Sequence, residues 1–184
     1  MTESDLPDRA FRLERDAFAQ IFDRHYDAIF RYIYRRVGHR ETAEDLAQEV
    51  FHRLVETNGR GGRPIRNVKA WLYRVARNLV IDEARRQTVR QHEPLEDTHP
   101  QSGASVSQQA DQEMMTATLL EAMGKLTRKQ KEVIELKFLQ SLTTREVADV
   151  LRISERGVLK LQQRGVAALR TQLVLSNVLA REIA

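Results

Sequence analysis

An all-α fold, built as two small helical domains joined by a flexible linker, is what this chain predicts, on three observations. Only eight Gly and four Pro interrupt its 184 residues. Its β-branched residues are scattered among Leu, Ala, Glu and Arg instead of forming alternating runs, so no strand is expected. Apolar residues return at the 3.6-residue helical period on both sides of one aperiodic segment, and a 41% hydrophobic content suffices for compact cores.

The first helix is set by Ile21, Phe22, Tyr26, Ile29, Phe30, Ile33, Tyr34 and Val37, and Gly38 should end it. A second, opened by Glu41 and Thr42, carries Leu46, Val50, Phe51, Leu54 and Val55 on its buried stripe and should stop before Asn58 and Gly59. Asn67 suits the cap of a third, with Val68, Trp71, Leu72, Val75, Leu79 and Val80 inward. Residues 87–112 lose the period and gain Gln, Ser, Pro and His, which reads as the linker between a domain at 1–86 and one at 113–184. The period returns at Met114, Leu119, Leu120 and Met123, and a helix capped by Thr127 carries Val133, Ile134 and Phe138.

Thr143 to Glu146 has the capping-box spacing, in which hydroxyl and carboxylate satisfy each other's free amides at a helix start. That specifies a short helix to Leu151. Ser154 can cap the next, which leaves only Arg152 and Ile153 for the turn, so the two helices must cross steeply. Ala148 supplies the small side chain at the elbow, and Val147, Leu151, Ile153, Val158 and Leu161 supply the apolar set of a helix-turn-helix. Arg152 stands where such turns commonly hold Gly in a left-handed conformation, at a cost of about 1 kcal/mol.

Charge is clustered, and the clusters say more than the net +4. Seven Lys/Arg (Arg66, Lys69, Arg74, Arg77, Arg85, Arg86, Arg90) face two acids, Asp82 and Glu83, between Pro64 and Arg90. Five (Arg152, Arg156, Lys160, Arg164, Arg170) face Glu155 alone in the helix-turn-helix. Two basic stretches suit two contacts with a polyanion, because neutralising phosphates releases counterions. With Val158 and Leu161 inward, Glu155, Arg156, Leu159, Lys160, Gln162, Gln163 and Arg164 fall on or near the exposed face. Arg can pair with guanine and Gln with adenine in the major groove. Arg156, Lys160, Gln163 and Arg164 are the candidate contacts there.

Other chemistries find little support. The absence of Cys removes disulfides, thiolate zinc sites and thiol nucleophiles, and fits a reducing cytoplasm. His25, His39, His52, His92 and His99 show no paired metal-ligand spacing, and Gly59-Arg60-Gly61-Gly62 lacks the strand-loop-helix setting of a phosphate cradle. No enzyme, metal or cofactor is expected. The charged N-terminus is no signal peptide, and no stretch is long enough to span a bilayer.

Two blocks resemble the bacterial RNA polymerase sigma factors of the extracytoplasmic-function (ECF) group. In the first half they are Ala43-Glu44-Asp45-Leu46-Ala47-Gln48-Glu49-Val50-Phe51 and the segment Val68 to Arg86, with Ala70-Trp71-Leu72-Tyr73-Arg74 at its centre. In the second half they are Leu126-Thr127-Arg128-Lys129-Gln130-Lys131-Glu132-Val133-Ile134 and the helix-turn-helix. The resemblance implies that Asp45, Gln48, Glu49 and Phe51 bind core RNA polymerase. It implies that the third helix and the Gly59–Arg66 loop meet an unpaired minus-ten promoter strand, with Arg74, Arg77, Asn78, Arg85 and Arg86 as contacts. Trp71 and Tyr73 are the aromatic candidates for base stacking, although Trp71 lies on the apolar stripe and reads as core. The helix-turn-helix would read the minus-thirty-five duplex. Leu159 and Leu161 depart from the family's commonest pattern, and Leu161-Gln162-Gln163-Arg164 is closer to a Leu-Gln-His-Arg variant. An anti-sigma partner and promoter DNA as ligand follow from the same resemblance, and the expected location, from the lack of Cys, signal peptide and membrane span, is cytoplasmic. A dimeric helix-turn-helix regulator is the main rival.

Overall fold

The computed structural model describes residues 15–59, 65–90 and 118–183, and among them every regular element is helical. The chain divides into two compact units, 1–101 and 102–184, each with its own core. The unit boundary falls inside the segment read as a linker, most of which (91–112) lies outside the described residues.

The first unit holds α1 (Arg15–Val37), α2 (Arg40–Gly59) and α3 (Val68–Arg90), each packed on the other two. Gly38 ends α1 as expected, with φ 75° and its amide donating to the Tyr34 carbonyl at 2.9 Å. Asn67 caps α3, its Oδ1 accepting from the Ala70 amide at 2.8 Å. α2 continues through Asn58 and Gly59, and α3 runs to Arg90, beyond the expected ends. In that last turn of α3, the Thr88 hydroxyl donates to the Ala84 carbonyl and Gln87 Nε2 to Glu83 Oε1.

Because α3 meets two helices, it buries two faces: Val68, Leu72, Ala76 and Leu79, and also Ala70 and Tyr73. The single-stripe reading therefore fails there. Tyr73, a candidate stacking platform in the sequence, is only 2% exposed and meets Tyr32 edge to face at 5.2 Å, while Trp71, read as core, is half-buried. Burial pushes the Tyr73 phenol up to about 12. Val55 is 39% exposed instead of inward, and Val75 and Val80 are only half-buried.

In the second unit, residues 118–124 are helical and lead to α5 (Arg128–Ile134); the 118–124 segment is α4. Thr127 caps α5 in a full capping box with Gln130, the amide of Thr127 donating to Gln130 Oε1 at 2.9 Å. α5 passes into one π turn, Glu135–Leu139, which closes with the Gln140 amide on the Glu135 carbonyl. The extra residue in a π turn rotates everything after it. Leu136, three residues after the buried Val133, is fully buried, and Phe138, expected inward, is 55% exposed. α6 (Thr144–Leu151) and α7 (Glu155–Ile183) complete the unit.

The helix-turn-helix matches its expectation in detail. Thr143 Oγ1 accepts from the Glu146 amide at 3.2 Å, and Glu146 Oε2 accepts from the Thr143 amide at 2.6 Å. Arg152 adopts φ 55° and ψ 46°, the left-handed region, and Ile153 donates its amide to the Ala148 carbonyl at 3.1 Å. Ser154 Oγ then accepts from the Gly157 amide at 3.1 Å and starts α7. Val147, Ala148 and Val158 are buried at the elbow, and Leu151, Ile153 and Leu161 are half-buried around it.

Candidate nucleic-acid and polymerase interfaces

In α7 the buried Val158 fixes which side turns outward. Arg156, Lys160, Gln163 and Arg164, spaced by four, three and one, are all exposed on one face with Leu159. Leu159 is 52% exposed, an apolar group among cations. Among the described residues Arg156, Lys160 and Arg164 make no ion pair, so their charge is not spent inside the fold. Gln162, placed near the exposed face by sequence, turns partly inward and its Oε1 is buried with no hydrogen-bond partner among the described residues. Of the two adjacent glutamines, Gln163 is the exposed one.

Gly165 was not singled out by sequence, and it positions this helix. A Cβ there would meet Ile134 Cγ1 at 3.1 Å and Gln130 Cβ at 3.5 Å, so its bare backbone lets α7 cross close over α5. A lone Gly inside a helical period was the available signal.

In α3, Arg74, Arg77, Asn78 and Arg85 follow one another at helical spacing along one side. Asn78, Arg85 and Arg86 are exposed, and Arg74 and Arg77 half-buried. From Arg74 to Arg85 the helix rises about 16 Å, the reach of a short run of nucleotides. Arg85 lies 3.7 Å from the exposed Asp82, and Arg86 lies 3.6 Å from the half-buried Glu83, so both guanidiniums stay exposed and able to exchange a carboxylate for a phosphate. The Gly59–Arg66 loop falls largely outside the described residues, with Arg66 at its end exposed.

On α2, Asp45 and Gln48 are exposed and Glu49 half-buried, close together on one side of the helix. Glu49 accepts from Arg53 Nε at 2.7 Å, which fixes its carboxylate without hiding it. Phe51 does not share this face. It is 2% exposed, 4.9 Å from the Phe22 ring and 5.9 Å from Tyr26, so its role is to seat α2 on α1. The error has a local cause: a signature names neighbours in sequence, and positions 49 and 51 point to different sides of a helix. Its ring partners belong to a row on α1, Phe18, Phe22, Tyr26, Phe30 and Tyr34, spaced by four and in mutual ring contact at 4.8 to 6.5 Å.

No group of three or more metal-binding side chains occurs among the described residues, and no described helix is long and apolar enough to cross a membrane.

Residues 21–90 match the family model for sigma-70 region 2, and residues 116–169 that for sigma-70 region 4. The chain is similar to the ECF RNA polymerase sigma factor BldN of Streptomyces coelicolor, at 36% identity over 90% of this chain and 63% of the relative. It is 33% identical to the ECF sigma factor SigW of Bacillus subtilis, covering 87% of this chain and 90% of that one. Among solved structures, CnrH in complex with the cytosolic domain of CnrY aligns over 94% of this chain and 97% of that chain, with TM-score 0.66 and 22% identity. The sigma factor RpoE of Bartonella quintana, solved with the anti-sigma factor NepR, aligns over 85% of this chain and 96% of that chain, with TM-score 0.64 and 18% identity. These last two likenesses concern the fold. With two sigma regions in order and a relative matched nearly end to end, the chain belongs to the ECF RNA polymerase sigma factors, the proteins that direct transcription initiation at promoters.

Proposed function

We propose that this chain binds core RNA polymerase through Asp45, Gln48 and Glu49 on α2, holds the opened minus-ten strand along Arg74, Arg77, Asn78, Arg85 and Arg86 on α3, and reads the minus-thirty-five duplex with Arg156, Lys160, Gln163 and Arg164 on α7. The observation that carries the reading is that each unit presents a basic helix face backed by a buried one, with the acidic surface on a separate helix. A single-stranded segment needs backbone charge and an edge-reading group, which the arginines and Asn78 of α3 supply. A duplex needs a protruding helix with side chains at groove depth, which α7 supplies. The half-buried Trp71 takes the place of Tyr73 as the aromatic nearest the surface of α3. The chain works in the cytoplasm, supplies recognition and strand stabilisation without catalysis of its own, and is restrained by an anti-sigma factor.

The test is run-off transcription on a genomic fragment library with purified core polymerase. Added chain should yield discrete starts preceded by two elements, and failure both to bind core and to initiate would refute the reading. Asp45→Arg should weaken core binding on the order of tenfold, since it sets like charge against a basic partner, while duplex binding by the full chain stays unchanged. Equal loss in both assays would show that the surfaces are not separate.

A further inference from the structure

The turn of the helix-turn-helix holds a charged side chain on a backbone that suits glycine. Arg152, at φ 55°, and Ser141, at φ 51°, are the described non-glycine residues with positive φ. Glycine would meet this turn without steric conflict, so what Arg152 adds is its side chain. That side chain is exposed, and among the described residues it has no ion pair, although Asp149 and Glu155 lie three residues to either side.

Its place in the fold says where the charge goes. Arg152 lies two residues before Ser154, whose hydroxyl starts α7. When α7 lies in a major groove with Arg156 and Lys160 toward the bases, a side chain just outside its N-terminal end sits beside the groove's sugar-phosphate edge. Resting on the proposed duplex-reading role of α7, we propose that the Arg152 guanidinium binds a backbone phosphate there and anchors the N-terminal end of the recognition helix without regard to base sequence. The strain at the turn thus keeps a cation where glycine would leave none.

The experiment uses the full chain and a duplex that the wild type recovers from a randomised library, with affinity measured across a salt series. Arg152→Gly and Arg152→Asn both suit a left-handed backbone, so they remove the charge without breaking the turn, as matching circular dichroism spectra would confirm. Each should bind roughly three- to tenfold more weakly and lower the slope of log affinity against log salt by about one, as one lost phosphate contact requires. Arg152→Lys should keep the slope, and the sequence each variant selects should be that of the wild type. Wild-type affinity and slope in the Gly and Asn variants, or a changed base preference, would overturn the proposal. If the wild type selects no duplex at all, the reading of α7 itself falls, an outcome distinct from a silent Arg152.

Discussion

The two units fix their helices by different means. In the first, helices of 23, 20 and 23 residues bury broad faces against one another, and large side chains such as Tyr32, Tyr73, Ile29 and Leu54 close the core. In the second, α5 has seven residues and α6 eight, lengths that are marginal on their own, and both open with a complete capping box. A long helix can be held by its face. A short one is held by its ends and by one long neighbour, here α7 with 29 residues.

That contrast can be broken most severely at Phe51. Phe51→Ala removes a buried ring that bridges α2 to Phe22 and Tyr26, and should cost the first unit about 3–5 kcal/mol. Amide hydrogen exchange read helix by helix should show lost protection in α1, α2 and α3 and unchanged protection in α5 to α7. Loss throughout the chain would mean that the units are not independently stable. Any loss of polymerase binding by this variant should follow unfolding, unlike that of Asp45→Arg.

The capping argument is sharpened by Thr143→Ala, which removes the hydroxyl that accepts from the Glu146 amide. It should lower the stability of the second unit by about 1 kcal/mol and raise exchange first at the start of α6. Duplex binding should weaken while core binding through α2 persists. An unchanged exchange pattern would show that packing alone defines α6.

The smallest effects are expected from two glycines of opposite sign. Nothing lies within 4 Å of a Cβ built at Gly124, so Gly124→Ala should stabilise the second unit by roughly 0.4–1 kcal/mol through the unfolded chain. Gly165→Ala gains the same entropy but drives a methyl to 3.1 Å from Ile134, and should be net destabilising. Thermal melts that move the same way for both would remove the close-crossing role assigned to Gly165.

The features legible in the sequence are those whose physics is local. Thr127 with Gln130, Thr143 with Glu146, Asn67 with Ala70, and Ser154 with Gly157 each satisfy amides within three residues, so residue type and spacing identify them. The tight turn at Arg152 was legible for the same reason, since only Arg152 and Ile153 separate the short helix from the Ser154 cap, and its left-handed backbone was legible because such turns commonly hold Gly there. The outward set on α7 followed from one face of a single period.

What the sequence could not decide depended on neighbours distant along the chain. Tyr73 and Trp71 exchanged their expected environments because α3 packs on two helices, which blurs the single buried stripe that a period can reveal. Phe51 moved from the polymerase-binding set to the core because Phe22 and Tyr26 of α1 are there to receive it. Phe138 turned outward because one π turn added a residue that no local rule announces. By itself, then, the sequence determined the order of the helices, their N-terminal caps and the tight turn, all set by contacts a few residues long, and it carried the motifs that identify the family. Only the tertiary structure decided which side chain on each helix is spent on packing and which is left for polymerase and DNA, because burial is a property of the surfaces that meet.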